Sequence, residues 1–316
     1  MTPARPTMPH MVGAALLRRA GTLVAVIIAA LMMLTLAGCS NAPGKGAADA
    51  PPPNPLFYEI ASADGTVEGW MLGTIHALPS GIEWRTAGIA DAVQRADLLV
   101  VEIAGLGGRA NHAATFKELA TSPGLPPLRD RLPPHLHPVL AALLQRSDVD
   151  AASFGATETW AAAIALARSD ATGDPANGVD RALLAEFSGR PVRELEGLRG
   201  QLSIFDALPE EQQRVMLATV VAESERTRKD PERLQRAWLA GDAQAIEQST
   251  REGILADLAL REALLTGRNR RWVDALLPLL DAPARPLIAV GAAHLVGPEG
   301  LVRALEAQGY TLRRLP

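Results

Sequence analysis

Short apolar runs near both ends of the chain, separated by a long stretch with helical spacing, dominate the hydrophobic pattern. Residues 98–101, within the run at 97–103, and residues 287–290 are continuously apolar, which is typical of strands buried on both faces of a parallel sheet. An Asp64-Gly65 turn between the apolar runs at 56–60 and 67–72 predicts a β-hairpin. In all, the pattern predicts strands at residues 56–60, 67–72, 97–103, 191–195, 287–290 and 311–315.

The central part of the chain is predicted to be helical. Asp230-Pro231 is expected to start one helix, with the aspartate as N-cap and the proline at the first helical position. The spacing of apolar residues predicts helices at 86–96, 135–145, 156–169, 178–187, 210–228, 231–240, 243–248, 254–280 and 299–308. We therefore predict an α/β fold with a mostly parallel sheet, built from strands near both ends of the domain around a large helical insertion.

The N-terminal segment is predicted to be an export signal. Arg18-Arg19 precede an apolar run at 23–36, and Cys39 follows Leu36-Ala37-Gly38, which is typical of a bacterial lipobox. An ordinary signal peptide or a single membrane anchor are the alternatives. The predicted organisation is a signal peptide at 1–38, a lipidated Cys39 with a disordered tether at 39–55, and one domain at 56–316.

The residue after the cysteine predicts the cellular location, and the composition excludes some classes of partner. Ser40 after the cysteine predicts an outer-membrane lipoprotein that faces the periplasm, in contact with the membrane through its lipid alone. The only cysteine of the chain is Cys39, so an internal disulfide is excluded. The net charge of −4 leaves no basic surplus to neutralise phosphates, which argues against a nucleic-acid partner. No oligomeric state is predicted.

Three polar side chains lie at the ends of apolar strands. His76 and His294 each follow a strand in a G-x-x-H turn, and Glu102 lies near the end of a third strand. If these strands are neighbours, the three side chains share one crevice, because ligands gather beyond the carboxyl ends of parallel strands. Two imidazoles and a carboxylate can hold a divalent metal ion such as Mn, Co or Zn. They can also work without metal, with histidine as general base, and a purely capping or core role is the third alternative.

Other polar residues carry weaker predictions. Arg268 lies in a charged helical run and either faces solvent or stabilises an anion or oxyanion in the crevice. Asp180 is expected to cap a helix, with bracing a histidine as the alternative. His112 is expected to be exposed to solvent. The sequence lacks G-x-S-x-G, H-E-x-x-H and P-loop motifs, which argues against serine-nucleophile, zincin and nucleoside-triphosphate chemistry.

Several motifs, in order along residues 56–316, resemble the TraB/PrgY/GumN family. They are GTIH at 73–76, Glu102, GVDRALL at 178–184, RELEGLRGQLSIFDAL at 193–208, RNRRW at 268–272 and GAAHLVGPEGLVRALEAQGY at 291–310. The resemblance implies an α/β fold related to the TIKI metal-dependent proteases, the erythromycin esterases and the haem-binding ChaN-like proteins. It also implies that His76, Glu102 and His294 share one cleft. Arg268 matches the arginine of the family's Arg-Asn motif.

The leading hypothesis from the sequence is a metal-dependent hydrolase of peptides or small-molecule esters. His76, Glu102 and His294 would hold the divalent metal, and Arg268 would stabilise the oxyanion. Two alternatives stay open: a metal-free esterase, and a non-enzymatic lipoprotein that binds haem, another small ligand or a protein partner.

Overall fold

The computed structural model describes residues 52–105 and 109–316. Its strands are β1 (Phe57–Ala61), β2 (Val67–Thr74), β3 (Leu98–Val101), β4 (Val192–Glu194), β5 (Pro286–Gly291) and β6 (Thr311–Arg314). They form one six-stranded sheet in the order β4-β3-β5-β2-β1-β6. The pairs β3–β4, β3–β5 and β2–β5 are parallel, whereas β1–β2 and β1–β6 are antiparallel.

The predicted α/β fold is confirmed, with most of the helices between β3 and β5 in the chain. One helical stretch contains a π-helical segment at Glu262–Thr266. The helices that the structure describes are α1 (Ala87–Arg95), α2 (Arg109–Leu119), α3 (His137–Arg146), α4 (Thr159–Ser169), α5 (Val179–Glu186), α6 (Gly197–Asp206), α7 (Glu210–Lys229), α8 (Arg233–Ala240), α9 (Ala243–Ser249), α10 (Leu258–Arg261), α11 (Gly267–Leu280) and α12 (Leu301–Glu306).

The hydrophobic pattern explains where the core lies. Strands β3 and β5 are almost wholly buried, as their continuous apolar sequences require. One apolar cluster packs around the sheet, with Trp70, Trp238 and Trp272 among its largest side chains. A second cluster, centred on Trp160 of α4, holds the inserted helices together. The insertion therefore has an apolar core of its own beside the core of the sheet.

Two local predictions were wrong. Asp230 does not cap α8, which begins at Arg233, because its carboxylate instead accepts hydrogen bonds at 2.6 and 2.8 Å from Arg236. His112 is not exposed: α2 buries it to 9% exposure, and its Nδ1 has no hydrogen-bond partner in the part of the chain that the structure describes. Helix α6 was not predicted as a separate helix.

The N-terminal predictions fall almost entirely outside the described residues. These are the signal peptide, Cys39 and the tether as far as residue 51. The last residues of the predicted tether pack on the domain, since Pro55 is buried and the Asn54 N–H donates to the carbonyl of Leu239 at 2.7 Å. Among residues 52–105 and 109–316, no helix has the length and apolar character needed to cross a bilayer.

Candidate functional site

The strands that precede His76, Glu102 and His294 are neighbours in the sheet. Strand β5 lies between β2 and β3 and is parallel to both, so the carboxyl ends of all three meet at one edge. The backbone N–H of Gly291 at the end of β5 donates to Glu102 Oε1 at 2.8 Å. The structure thus brings together the three residues that the sequence selected, and the parallel register is the physical cause.

His76 is paired with an aspartate from the helical insertion. Its Nδ1 lies 2.8 Å from Asp180 Oδ2, while Thr74 donates to the other carboxylate oxygen of Asp180 at 2.7 Å. The carboxylate raises the pKa of His76 to about 9. The imidazole keeps 69% of its surface exposed. Asp180 therefore fixes the orientation of a histidine whose other nitrogen faces away from the pair.

Gly178 places Asp180 against His76. A Cβ at Gly178 would lie 2.3 Å from the carbonyl oxygen of His76, so a side chain at this position would separate the two segments. The N–H of Val179 donates to the carbonyl of Ile75 at 3.0 Å. Asp180 does not cap α5, whose N-cap is Gly178 without a side-chain hydrogen bond. The alternative role that the sequence suggested for Asp180, bracing a histidine, is the one observed.

Glu102 lies in a buried network of charges with Arg268. Its Oε2 accepts from Arg268 Nη2 at 2.6 Å and from Gln201 Nε2 at 3.1 Å. A second buried carboxylate, Glu196, accepts from Arg268 Nε at 2.9 Å and from Nη2 at 2.8 Å. Burial alone would raise the pKa of Glu102, but the charges of Arg268 and His76 and the hydrogen bond from the Gly291 amide lower it to about 2. Glu102 is therefore ionised across the physiological pH range.

His294 is buried and neutral. Arg268 Nη1 lies 3.2 Å from His294 Nε2, and arginine has only donors, so Nε2 is the acceptor. The hydrogen is then on Nδ1 and is donated to Asn269 Oδ1 at 2.6 Å. Burial lowers the pKa of His294 to about 3, and the charge of Arg268 acts in the same direction. Trp272 packs on the ring with a centroid distance of 4.3 Å.

Every N–H of Arg268 is already used inside this network. Besides its bonds to Glu102, Glu196 and His294, Nη1 donates to the carbonyl of Leu264 at 3.1 Å. Leu264 belongs to the π-helical segment, a feature that often marks functional sites. A guanidinium has five N–H hydrogens, and this set of partners accounts for all of them. The arrangement therefore supports a positioning role for Arg268, with no donor left for an oxyanion.

The predicted metal does not fit the donor atoms in this arrangement. A metal ligand must offer a free lone pair to the ion. The guanidinium of Arg268 contacts both Glu102 Oε2 and His294 Nε2, so a cation already stands between these two donors. Within residues 52–105 and 109–316, no group of three or more His, Cys, Asp or Glu side chains is arranged to hold a metal ion. An ion at these donors would require Arg268 to leave.

Two cavities lie beside this network. One, of about 460 Å³, is lined by His76, Glu102, Asp180 and Gln201 together with apolar residues of the insertion. The other, of about 470 Å³, reaches His294. Ala167, Phe205, Val220 and Ile254 line both cavities, so the two share their walls. The cavity beside His76 is the one that offers an exposed imidazole to a ligand.

Sequence reasoning missed the partners of the selected residues. Glu196, Gln201 and Asn269 were not chosen, although Glu196 and Gln201 lie in the 193–208 motif and Asn269 directly follows Arg268. Asp180 was weighed but assigned to a helix cap. Asp180, Gln201 and Asn269 come from helices, where the motifs were the only signal that pointed to them. Glu196 follows strand β4 by two residues, so the strand-end pattern that selected Glu102 could also have found it.

Comparisons with known proteins agree with the motifs. The family model described as "TraB/PrgY/gumN family" matches residues 56–314. A search of curated proteins and a search of solved structures each found no match. The family model covers most of the chain and includes every residue of the charged network described above. The chain therefore belongs to the TraB/PrgY/gumN family.

Proposed function

We propose that the protein is a hydrolase of ester or amide bonds in which His76 activates water without a metal ion. The observation that carries this proposal is the 2.8 Å contact between His76 Nδ1 and Asp180 at the wall of the cavity of about 460 Å³. An imidazole oriented by a carboxylate, with its second nitrogen accessible to a ligand, is the arrangement that general-base catalysis needs.

The reaction follows from this pairing. Neutral His76 carries its hydrogen on Nδ1, donated to Asp180, so Nε2 takes a proton from water. The resulting hydroxide adds to the carbonyl carbon of the substrate. The imidazolium then returns the proton to the leaving alkoxide or amine as the tetrahedral intermediate collapses. Ionised Glu102 acts electrostatically to favour the protonated form of His76, which develops in the transition state.

Gln201 is the donor that we assign to the oxyanion. Its side-chain amide lines the cavity and has two N–H hydrogens, one of which is donated to Glu102 Oε2 at 3.1 Å. The second remains for the developing negative charge on the substrate oxygen. Glu102 and Arg268 hold the amide in place from behind, as a preorganised site requires.

The experiment measures hydrolysis of chromogenic esters and of peptides by the full chain, purified in detergent, before and after chelation. We expect activity to survive chelation. We expect His76→Ala to lower kcat by about 10²- to 10⁴-fold, the usual contribution of general-base catalysis. His135→Ala is the matched control, because His135 is an exposed histidine outside the network, and it should keep full activity.

Three results would overturn this mechanism. Unchanged activity in His76→Ala would remove the base. Activity that disappears on chelation and returns with Mn, Co or Zn would favour the metal-dependent hydrolase. A Soret band on haem titration, without any hydrolysis, would favour the ligand-binding alternative.

We also propose that the domain is held at the periplasmic side of the outer membrane by a lipid on Cys39. The support is the Leu-Ala-Gly-Cys sequence after an apolar run. Cys39→Ser should move the protein from the membrane fraction to the soluble fraction and abolish labelling with radioactive palmitate. A variant that stays in the membrane fraction would support the single-anchor alternative.

A further inference from the structure

The cavity beside His76 contains an arginine that has no hydrogen-bond or ion-pair partner among the residues that the structure describes. Arg168, near the end of α4, lines this cavity and is partly buried. Its Nε is shielded from water and makes no hydrogen bond, and the structure gives Arg168 no ion pair with any residue that it describes. The nearest acid in sequence, Asp170, is taken by Arg146, whose Nε and Nη2 donate to it at 3.0 and 2.8 Å.

The two carboxylates of the cavity wall differ from Arg168 in this respect. Glu102 is paired with Arg268, and Asp180 is paired with His76. Both carboxylates of the cavity wall therefore have a cationic partner, and neither contacts Arg168. The positive charge of Arg168 is left unbalanced inside a partly enclosed space.

Burying the Nε of a charged guanidinium without a hydrogen bond is costly, and this cost indicates a ligand. Arginine stays protonated in proteins, so it cannot escape burial by losing its charge. Burial lowers the pKa of Arg168, and no charged neighbour in the described part of the chain counteracts this effect. A ligand with a negative charge would remove the penalty, and a guanidinium matches the planar geometry of carboxylate and phosphate oxygens.

We propose that this cavity selects substrates that carry an oxyanion group, a carboxylate or a phosphate, which pairs with Arg168. The proposal rests on the proposed function, since it concerns the substrate of the same site. The hydrogen bonds of His76 and Glu102 go to residues other than Arg168, so the anionic group binds away from the bond that His76 hydrolyses. Apolar side chains from the insertion, including Ile164, Leu198 and Phe205, line the same cavity and suit an aliphatic or aromatic spacer.

The test compares three esters of equal length with the same nitrophenol leaving group. One is the mono-nitrophenyl ester of adipic acid, one has its far carboxylate blocked as a methyl ester, and one has a phosphonate in that place. We expect the wild-type enzyme to have about 10- to 100-fold higher kcat/KM for an anionic ester than for the blocked one, through KM. Of the two anionic esters, the better substrate identifies the group that the site prefers.

Arg168→Gln should abolish this preference by raising KM for the anionic esters, while the blocked ester keeps its kcat and KM. Arg168→Lys should keep part of the preference, because the charge remains and the planar fork is lost. Arg303→Gln removes an exposed surface charge and is the matched control, with no expected change. Equal kcat/KM for the three esters, or a loss in Arg168→Gln that affects all of them alike, would refute the anion site.

A binding measurement distinguishes a failure of this proposal from a failure of the proposed function. Calorimetric titration with adipate, and with uncharged adipamide as its control, needs no turnover. Adipate binding that is lost in Arg168→Gln would support the anion site even if no ester is hydrolysed. If the esters are hydrolysed but adipate and adipamide bind equally, the hydrolase stands and the anion site falls.

Discussion

Replacing Arg268 with methionine is the sharpest test of the buried charge network. The substitution keeps the length of an apolar stem but removes the one cation that contacts both Glu102 and Glu196. The side chains of the two glutamates are only 7% and 8% exposed, so both carboxylates would be left buried without their partner. Breaking a buried pair in this way costs about 3–5 kcal/mol of the free energy of unfolding.

Arg270→Met provides the comparison in the same helix. Arg270 is 67% exposed and pairs with Glu262 at the surface, where such pairs contribute about 0–1 kcal/mol. The assay is urea unfolding of both variants and the wild type at pH 7 and pH 5. The loss in the free energy of unfolding of Arg268→Met should be smaller at pH 5, because the unpaired carboxylates take up protons there and no longer bear a buried charge.

The prediction would be refuted if Arg268→Met lost less than about 1 kcal/mol of the free energy of unfolding at pH 7, as Arg270→Met is expected to do. A deficit that does not change between pH 7 and pH 5 would equally contradict it. If Arg268→Met fails to fold at pH 7, the double variant Arg268→Met/Glu196→Gln decides the matter. It should be more stable than the single variant, because one of the two stranded charges is gone.

Three further predictions concern His76, Gly178 and His294. Asp180 raises the pKa of His76 to about 9, so kcat/KM should rise with pH to a midpoint above 6.5. In Asp180→Asn this midpoint should move towards 6.5. Equal midpoints in the variant and the wild type would contradict the pairing. Gly178→Ala should lower kcat by tenfold or more without changing the preference among leaving groups. The reason is that the new Cβ would lie 2.3 Å from the His76 carbonyl oxygen and displace Asp180. Wild-type kinetics in this variant would show that the segments around Gly178 and His76 adjust to the side chain. The lowered pKa of His294 means that the unfolded chain binds a proton more readily, so its contribution to stability is complete above pH 6.5 and is lost as pH falls towards 3. Urea unfolding should show a loss of up to about 1.4 kcal/mol per pH unit in this window, reduced in His294→Gln; an equal slope in the variant would contradict it.

The local elements were predictable because they follow from short-range pattern. Continuous apolar runs predicted the buried strands β3 and β5, and the Asp64-Gly65 turn predicted the β1–β2 hairpin. Thr86 was included in the first predicted helix and caps it by accepting from the N–H of Ile89 at 3.2 Å. The prediction failed for Asp230, where a salt bridge to Arg236 competed with the expected cap.

The sequence by itself determined the fold class and selected His76, Glu102 and His294, because a polar residue after an apolar strand is visible in one dimension. The tertiary structure alone decided the strand order that makes those strands neighbours. It also decided the partners: Asp180 and Arg268 lie 104 and 166 positions from His76 and Glu102. Pairing over such separations depends on how the insertion packs against the sheet, and no local pattern records that packing.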